Sequence, residues 1–384
     1  MTKMIPTYPN DRDYFFDKDD NIYQVIGYVH PANYIYCLEK YSKIEDGRSD
    51  SSNFIWKSQL TNQYYKRNIS MYSSRNATSN IKRHKYRKTS DLYGVDFIHF
   101  PRTKIKRYLN PIEKLEILRD QVQKSFLSLS DQERNAIEIS YLFERELGIA
   151  PKNLGATGSI LWEGVHPNSD IDIIIYGIQN MRRFFQGVNK LLQVNNKIRL
   201  PSVIDQMKWA GKFSQKSGLS VDDCTVFIAN KNFLLYFSNF FLSIAFNPTM
   251  SEILQNTLSN DETKFRTILE FTSVTIQATV KEDDWMFFYP GVIYLKNVKI
   301  ISPNVGISEL PPICRAVVFE HENIGYYKKG SEIEIHGLVQ VIQNPPQDVL
   351  TNTYSSFGET HTYGQIIVGT SENYGFEYIK NLGI

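Results

Sequence analysis

The stretch Gly158–Gly177, GSILWEGVHPNSDIDIIIYG, decides how this chain is read. Asp170 and Asp172 stand one residue apart at the mouth of an otherwise oily strand, just after a Gly-Ser turn. Two like charges half-buried side by side are costly unless something positive sits between them. Side chains alternate faces along a strand, so both aspartates project to one side while Ile171 and Ile173 project to the other. That geometry aims two carboxylates at one point. It suits hard cations with oxygen ligands, magnesium or manganese above all, and a pair of such ions roughly 3.5–4 Å apart can be clamped by shared carboxylates. Upstream, Gly158 lets a backbone come close to a bulky anion, and Ser159 adds a hydroxyl donor. A Gly-Ser phosphate cradle facing a carboxylate-held metal is an arrangement for handling phosphoryl groups.

Thr157-Gly158-Ser159, then Ile160 to Ser169, then Asp170-Ile171-Asp172-Ile173 closely resembles, in order, spacing and context, the signature of the polymerase beta superfamily of nucleotidyltransferases. The resemblance covers about Leu147 to Val194, and the wider layout is similar to that of archaeal polymerase-beta-like nucleotidyltransferase domain proteins. It implies a mixed sheet packed on helices, with Asp170 and Asp172 as catalytic metal ligands for Mg2+ or Mn2+. It also implies that Gly158 and Ser159 bind the nucleotide, and that a nucleoside monophosphate passes from a nucleoside triphosphate to a hydroxyl.

Fuller enzymes of the superfamily carry a third carboxylate on a later strand. Here a strand at Ile198-Arg199-Leu200 offers an arginine, and one at Phe241–Phe246 offers Ser243 or Ala245. Asp222, Asp223 and Glu270 are more simply loop or helix-surface acids. An alternative therefore stands beside the enzyme: a catalytically inactive nucleotidyltransferase fold acting as a nucleic-acid-binding or scaffold protein.

Outward from the motif the patterns change. Ahead of it, Asn110-Pro111 starts a helix with Ile112, Leu115, Leu118 and Val122 on one face, and Ser130-Asp131-Gln132-Glu133 is a capping box for a second helix that Gly148 stops. Behind it, Ile178–Val194 reads as a helix, with a further helical stretch past Pro201 around Met207 and Trp209. Tyr14–Tyr41 reads as a hairpin around Asp17–Asn21 followed by another strand, and the chain from Val226 onward reads as alternating, aromatic and β-branched strand material. The expectation is an α+β protein: a β-rich domain with a basic segment over 1–108, a nucleotidyltransferase core over 109–250, and a β-rich, barrel-like domain over 251–384.

The 384 residues, 42% hydrophobic and 22% charged, belong to an ordinary folded chain with a net charge of +2. The charge is uneven, because Lys66, Arg67, Arg75, Lys82, Arg83, Lys85, Arg87, Lys88, Arg102, Lys104, Lys106 and Arg107 crowd one region. That patch fits a polyanion such as RNA and equally a solvated loop. Tyr64, Tyr65, Tyr72 and Tyr86 interleave with it, either to stack on unpaired bases or to cap a small sheet.

Cys37, Cys224 and Cys314 form no paired framework, no signal peptide is evident, and no stretch approaches the roughly 20 apolar residues of a membrane span. The expectation is a cytoplasmic protein without membrane partners. There is no P-loop, no GxGxxG and no HExxH, and His166 and His321 read as turn residues.

Overall fold

The computed structural model describes residues 5–45, 55–69, 74–125, 128–167, 169–217, 219–256, 267–301, 310–320, 323, 325–343, 362–369 and 376–383. Tyr72 and His321 lie outside the described residues. In chain order the elements begin with strands β1 (Tyr14–Asp17), β2 (Ile22–Val25), β3 (Tyr34–Ile44), β4 (Ile55–Lys57) and β5 (Tyr64–Arg67). Helix α1 (Ser74–Arg83) and strands β6 (Arg87–Thr89), β7 (Asp96–Pro101) and β8 (Ile105–Leu109) follow. Next are helices α2 (Pro111–Ser125) and α3 (Asp131–Leu147), strands β9 (Leu154–Thr157) and β10 (Ile171–Tyr176), and helix α4 (Ile178–Val194). Then come β11 (Ile198–Arg199), α5 (Val203–Ser217), α6 (Val221–Ala229), β12 (Leu234–Phe237), β13 (Phe240–Asn247) and α7 (Met250–Asn256). The chain closes with β14 (Thr267–Glu282), β15 (Gly291–Ile300), β16 (Ile313–Val318), β17 (Glu332–Gln343), β18 (Thr362–Val368) and β19 (Tyr378–Asn381). This is an α+β protein.

The chain divides into two compact units, each discontinuous in sequence: Met1–Ser70, Phe100–Asp205 and Lys231–Thr249 form one, and Met71–His99, Gln206–Asn230 and Met250–Ile384 the other.

The first unit holds two sheets. One runs in the order β4-β5-β3-β2-β1-β8. Its first hairpin turns where expected because Asp17 accepts from the backbone N–H groups of Asp19 and Asn21, at 2.9 and 2.8 Å, closing the loop on itself. The other is mixed, in the order β11-β12-β13-β10-β9, with β10 parallel to β13 and antiparallel to β9. Helix α3 begins at the expected capping box, where the Glu133 N–H donates to Ser130 Oγ at 3.2 Å and the Ser130 N–H donates to Glu133 Oε2 at 3.0 Å. It ends at Gly148, in the left-handed region at φ 64°. Phe143 of α3 and Phe184 of α4 meet at 5.7 Å between ring centroids, and Phe184 reaches Phe246 of β13 at 5.8 Å, so the helices cover the apolar face of this sheet.

Trp162, fully buried, ties the two sheets together: its ring lies 4.9 Å from that of Tyr41 and 5.5 Å from that of Tyr65. Its carbonyl accepts from Ser58 Oγ at 2.8 Å, and the Gln59 N–H donates to the next carbonyl, Glu163 O, at 2.8 Å. The turn after the Gly-Ser dipeptide is thereby clamped to the amino-terminal sheet.

In the second unit the strand order is β14-β15-β16-β18-β17, and β17 pairs back to β14, closing the ring. The β16–β18 pairing is parallel and the others in the ring are antiparallel. Strand β14 pairs with β17 over Thr267–Thr279 and with β15 over Ile276–Glu282, and register shifts at Glu270/Ser273, Gln277/Thr279 and Val280/Glu282 bend it from one neighbour to the other. Val274, Ile276, Ile293, Ala316, Ile335, Val339 and Ile366 fill the interior, and Phe213 of α5 with Phe227 of α6 complete the same core. The segment over Val226–Ala229, read from sequence as the start of strand material, is the last turns of α6. Ser220 caps that helix, its Oγ accepting from the Asp223 N–H at 3.1 Å, a start signal that the β-branched run around Val226 masks.

Candidate active site

Asp172 lies on the central strand β10, opposite Thr157 of β9 on one flank and Ser243 of β13 on the other. Asp170 immediately precedes the strand and is exposed, while the Asp172 side chain retains 25% exposure. Ile171, Ile173 and Ile175 point into the helix-covered core and are fully buried, so the alternation that the sequence predicts places the two acids on the other face.

Gly158 is the residue that brings turn and acid together. It takes φ +64°, and a β-carbon built there would lie 2.1 Å from Asp172 Oδ2. The backbone therefore presses directly on the carboxylate, which only a residue without a side chain permits. Ser159 follows in the turn, half-buried, with its carbonyl accepting from the Gly164 N–H at 2.9 Å, and the Leu161 N–H donates to Gly158 O at 3.2 Å.

Cations surround the pair. Arg12 Nη1 stands 3.6 Å from Asp172 Oδ1, and its Nε stands 3.7 Å from Asp11 Oδ2. The Arg12 backbone is held on both sides: Thr157 Oγ1 donates to its carbonyl at 2.6 Å and its N–H donates to Val25 O at 3.1 Å. Asn247, at the end of β13, donates from Nδ2 to Asp11 O at 2.7 Å. Arg12 adopts φ 64°, a left-handed conformation that a non-glycine residue keeps only where its surroundings enforce it. Lys40, buried, donates to Gln24 Oε1 at 2.9 Å and to the Tyr14 hydroxyl.

These charges act on Asp170. Although the residue keeps a solvent-facing edge, burial of its carboxyl and, next, the neighbouring Asp172 charge raise it to about 6, against Arg67 and Lys40, which pull the other way. Two more acids stand nearby in sequence to Arg12. Asp11 and Asp13 are both pushed up to about 7 by burial, against the Arg12 charge at Asp11 and a hydrogen bond from the Tyr108 hydroxyl at Asp13.

The other sequence candidates are placed elsewhere. Ser243 occupies the β13 position beside Asp172, so the neighbouring strand contributes a hydroxyl, not an acid. Arg199 of β11 lies with its guanidinium carbon 4.0 Å from the Tyr236 ring centroid. Asp222 and Asp223 belong to the first turn of α6 in the second unit, where Asp223 meets Lys380 Nζ at 3.6 Å. Glu270 is on β14 of the barrel. His166 is an exposed turn residue whose N–H donates to Ser169 Oγ at 3.0 Å and whose carbonyl accepts from Gln132 Nε2 at 2.8 Å. Among the described residues no group of three or more His, Cys, Asp or Glu side chains could hold a metal ion.

Sequence reasoning missed Arg12 and Lys40. The one available signal was the density of charge in Asn10-Asp11-Arg12-Asp13 directly before an aromatic strand, a poor place for three ionised groups unless the fold uses them.

Comparison with known proteins adds no relative: no family model, no curated protein and no solved structure matches this chain. Among the described residues no helix is long and apolar enough to cross a membrane.

Proposed function

We propose that this chain is a metal-dependent nucleotidyltransferase, moving a nucleoside monophosphate from a nucleoside triphosphate to a hydroxyl acceptor, with RNA as the acceptor to test first. The observation that carries this reading is the packing of the Gly158 backbone against the Asp172 carboxylate, which sets the Gly-Ser turn directly beside the acid on β10.

Oxygen donors alone, exposed on one side of β10 and cradled where a β-carbon would clash, fit a magnesium or manganese ion, which Asp170 and Asp172 would hold. When bound, such an ion neutralises the triphosphate and activates the acceptor hydroxyl. The chain does the rest. Gly158 admits a phosphate to the backbone and the Ser159 hydroxyl donates to it. Arg12 offers a guanidinium that balances Asp172 and matches phosphate geometry. Ser243 takes the position beside Asp172 without the basicity of a carboxylate, which favours a single transfer over processive synthesis.

That serine, with Arg12 already paired to Asp172, also favours a second reading: a fold that binds nucleic acid without turnover. One assay separates them. Wild type, Asp170→Asn and Asp172→Asn are each incubated with α-labelled nucleoside triphosphates, magnesium or manganese, and pooled RNA. Transfer that disappears in both variants supports the enzyme. Wild type that binds RNA without metal and transfers no label supports the scaffold, and label found only outside RNA moves the acceptor to a protein or small-molecule hydroxyl.

A further inference from the structure

The face of β10 that carries Asp172 continues inward. Alternation puts Asp172, Ile174 and Tyr176 on one side of the strand, and the register with β13 sets Tyr176 beside Asn247 on that side, as it sets Asp172 beside Ser243. Four residues of strand separate Tyr176 from Asp172, roughly 13 Å, so the inner end is a separate place from the acid pair. The loop that ends at Asp13 lies against it. Asn247 Nδ2 donates to the Asp11 carbonyl at 2.7 Å, and the Asp13 and Asp11 charges both act on the Tyr176 hydroxyl.

Three buried oxygens of this end have no hydrogen-bond partner of good geometry among the described residues: Asp13 Oδ1, Asn247 Oδ1 and the Tyr176 hydroxyl. Their residues are 2%, 1% and 5% exposed, so bulk water does not serve them. The Asn247 amide is oriented by its bond to the Asp11 carbonyl, which leaves its oxygen as the unpaired atom. Asp13 Oδ2, by contrast, accepts from the Asn10 N–H at 3.0 Å and from the Tyr108 hydroxyl. Charge is as unbalanced as hydrogen bonding. Asp11 has Arg12 Nε beside it at 3.7 Å, but among the described residues no lysine, arginine or histidine pairs with Asp13, and the charges that act on it, Asp11 and Glu113, are negative. An ionised carboxylate out of water, without a cation, is costly.

We infer that Asp13, Asn247 and Tyr176 hold a buried monovalent cation, sodium or potassium. Every unpaired atom is oxygen, which selects a hard ion, and one unbalanced carboxylate calls for one positive charge. Magnesium fits poorly, since it dehydrates reluctantly and keeps several waters. A water molecule supplies hydrogen-bond donors but leaves the charge unanswered. Bound there, the ion fastens the loop to the ends of β10 and β13, and with it the Arg12 that meets Asp172. The site stands without the proposed transfer reaction.

The test is thermal unfolding of the full chain at pH 8 without divalent ions, at constant chloride, with tetramethylammonium replaced stepwise by sodium or potassium. Tetramethylammonium, wrapped in methyl groups, cannot be coordinated. The midpoint should climb by roughly 2–4 °C and level off, with one of the two ions effective at a several-fold lower concentration. Asp13→Asn should lose the response, Tyr176→Phe should need several-fold more ion, and Asp170→Asn with Asp172→Asn should respond as wild type. Burial raises Asp13 to about 7, so at pH 6 its proton competes and the response should shrink; the stability that Asp13 adds on acidification is read at full size only in tetramethylammonium. Sodium-23 relaxation gives a readout on the folded chain: wild type should broaden the sodium signal and Asp13→Asn should not. Midpoints equal in all three cations overturn the inference and leave a proton on Asp13 as its stabilising partner. So does an Asp13→Asn chain that keeps the response, or a response that the Asp170→Asn, Asp172→Asn chain lacks, which belongs to the acid pair. None of these measurements reads label transfer, so the two readings fail separately.

Discussion

The acid-bearing sheet and the barrel treat polar groups in opposite ways. In the first unit Asp11, Asp13, His30 and Lys40 are all buried, and Asp11 and Asp13 flank the Arg12 that meets Asp172. In the barrel the interior cluster is apolar from Val274 to Ile379, and the buried polar groups of the second unit, among them Gln340, Gln365, Glu320 and Glu377, are not part of it. Burying ionisable groups costs stability unless each finds a partner. The first unit gathers buried ionisable groups at one place, and the barrel keeps them out of its interior.

The largest effects should come from breaking the acid site outright. Asp172→Asn or Asp170→Asn should lower label transfer at least a hundred-fold. Trp162→Ala should cost about 3–5 kcal/mol in thermal or denaturant unfolding, because it empties the contact that fastens the Gly-Ser turn to Tyr41 and Tyr65.

Two glycines sharpen the contrast between backbone and site. Gly148 and Gly158 share φ +64°, yet a β-carbon at Gly148 would meet nothing within 4 Å and one at Gly158 would strike Asp172. Each alanine substitution should cost roughly 1 kcal/mol for its left-handed backbone. Gly158→Ala alone should also abolish transfer, by displacing the carboxylate. Equal activity in the two variants would remove the observation on which the proposed function rests.

Arg12→Gln should act in two directions. It removes the cation at 3.6 Å from Asp172, so manganese binding measured by calorimetry without nucleotide should tighten by up to about five-fold, and triphosphate binding should weaken. Manganese binding should also fall away below about pH 6 in wild type, as Asp170 takes up a proton.

The smallest effect is the pH dependence of stability. Asp11 and Asp13, ordinarily near 3.8, titrate at about 7 in the fold, so the native chain holds their protons more tightly. Their contribution favours folding as pH falls from about 7 toward 4 and is lost as pH rises through 7. His30 opposes them: burial pushes it from 6.5 to about 3, so its contribution is lost as pH falls through 6.5. Two carboxyls outweigh one imidazole, and the unfolding midpoint should rise modestly from pH 8 to pH 6. Asp13→Asn should flatten that rise in differential scanning fluorimetry.

Much of this was legible in local pattern. The capping box at Ser130, the stop at Gly148 and the helix over Ile178–Val194 follow from signals a few residues long, and the structure has all three. Asp172 falls beside Gly158 because strand alternation and a tight turn are also local rules. What the pattern did not disclose is long-range. Arg12 reaches Asp172 through bonds from Thr157 and Val25, and no periodicity links those positions. The ring closure of β17 on β14, and the pairing of Tyr294 with Arg315, likewise depend on registers set by the whole barrel.

The placement of α5 and α6 in the chain has a consequence for how the protein is made and cut. Phe213 and Phe227 are synthesised between β11 and β12, yet the strands that bury them begin only at β14. A nascent chain must therefore carry these two phenylalanines unsheltered until the last third has emerged, a natural point for chaperone capture. A shortened chain ending at Thr249 would leave them facing water permanently. An isolated first unit has to be made by excising both 71–99 and 206–230 and bridging each gap, not by a single truncation.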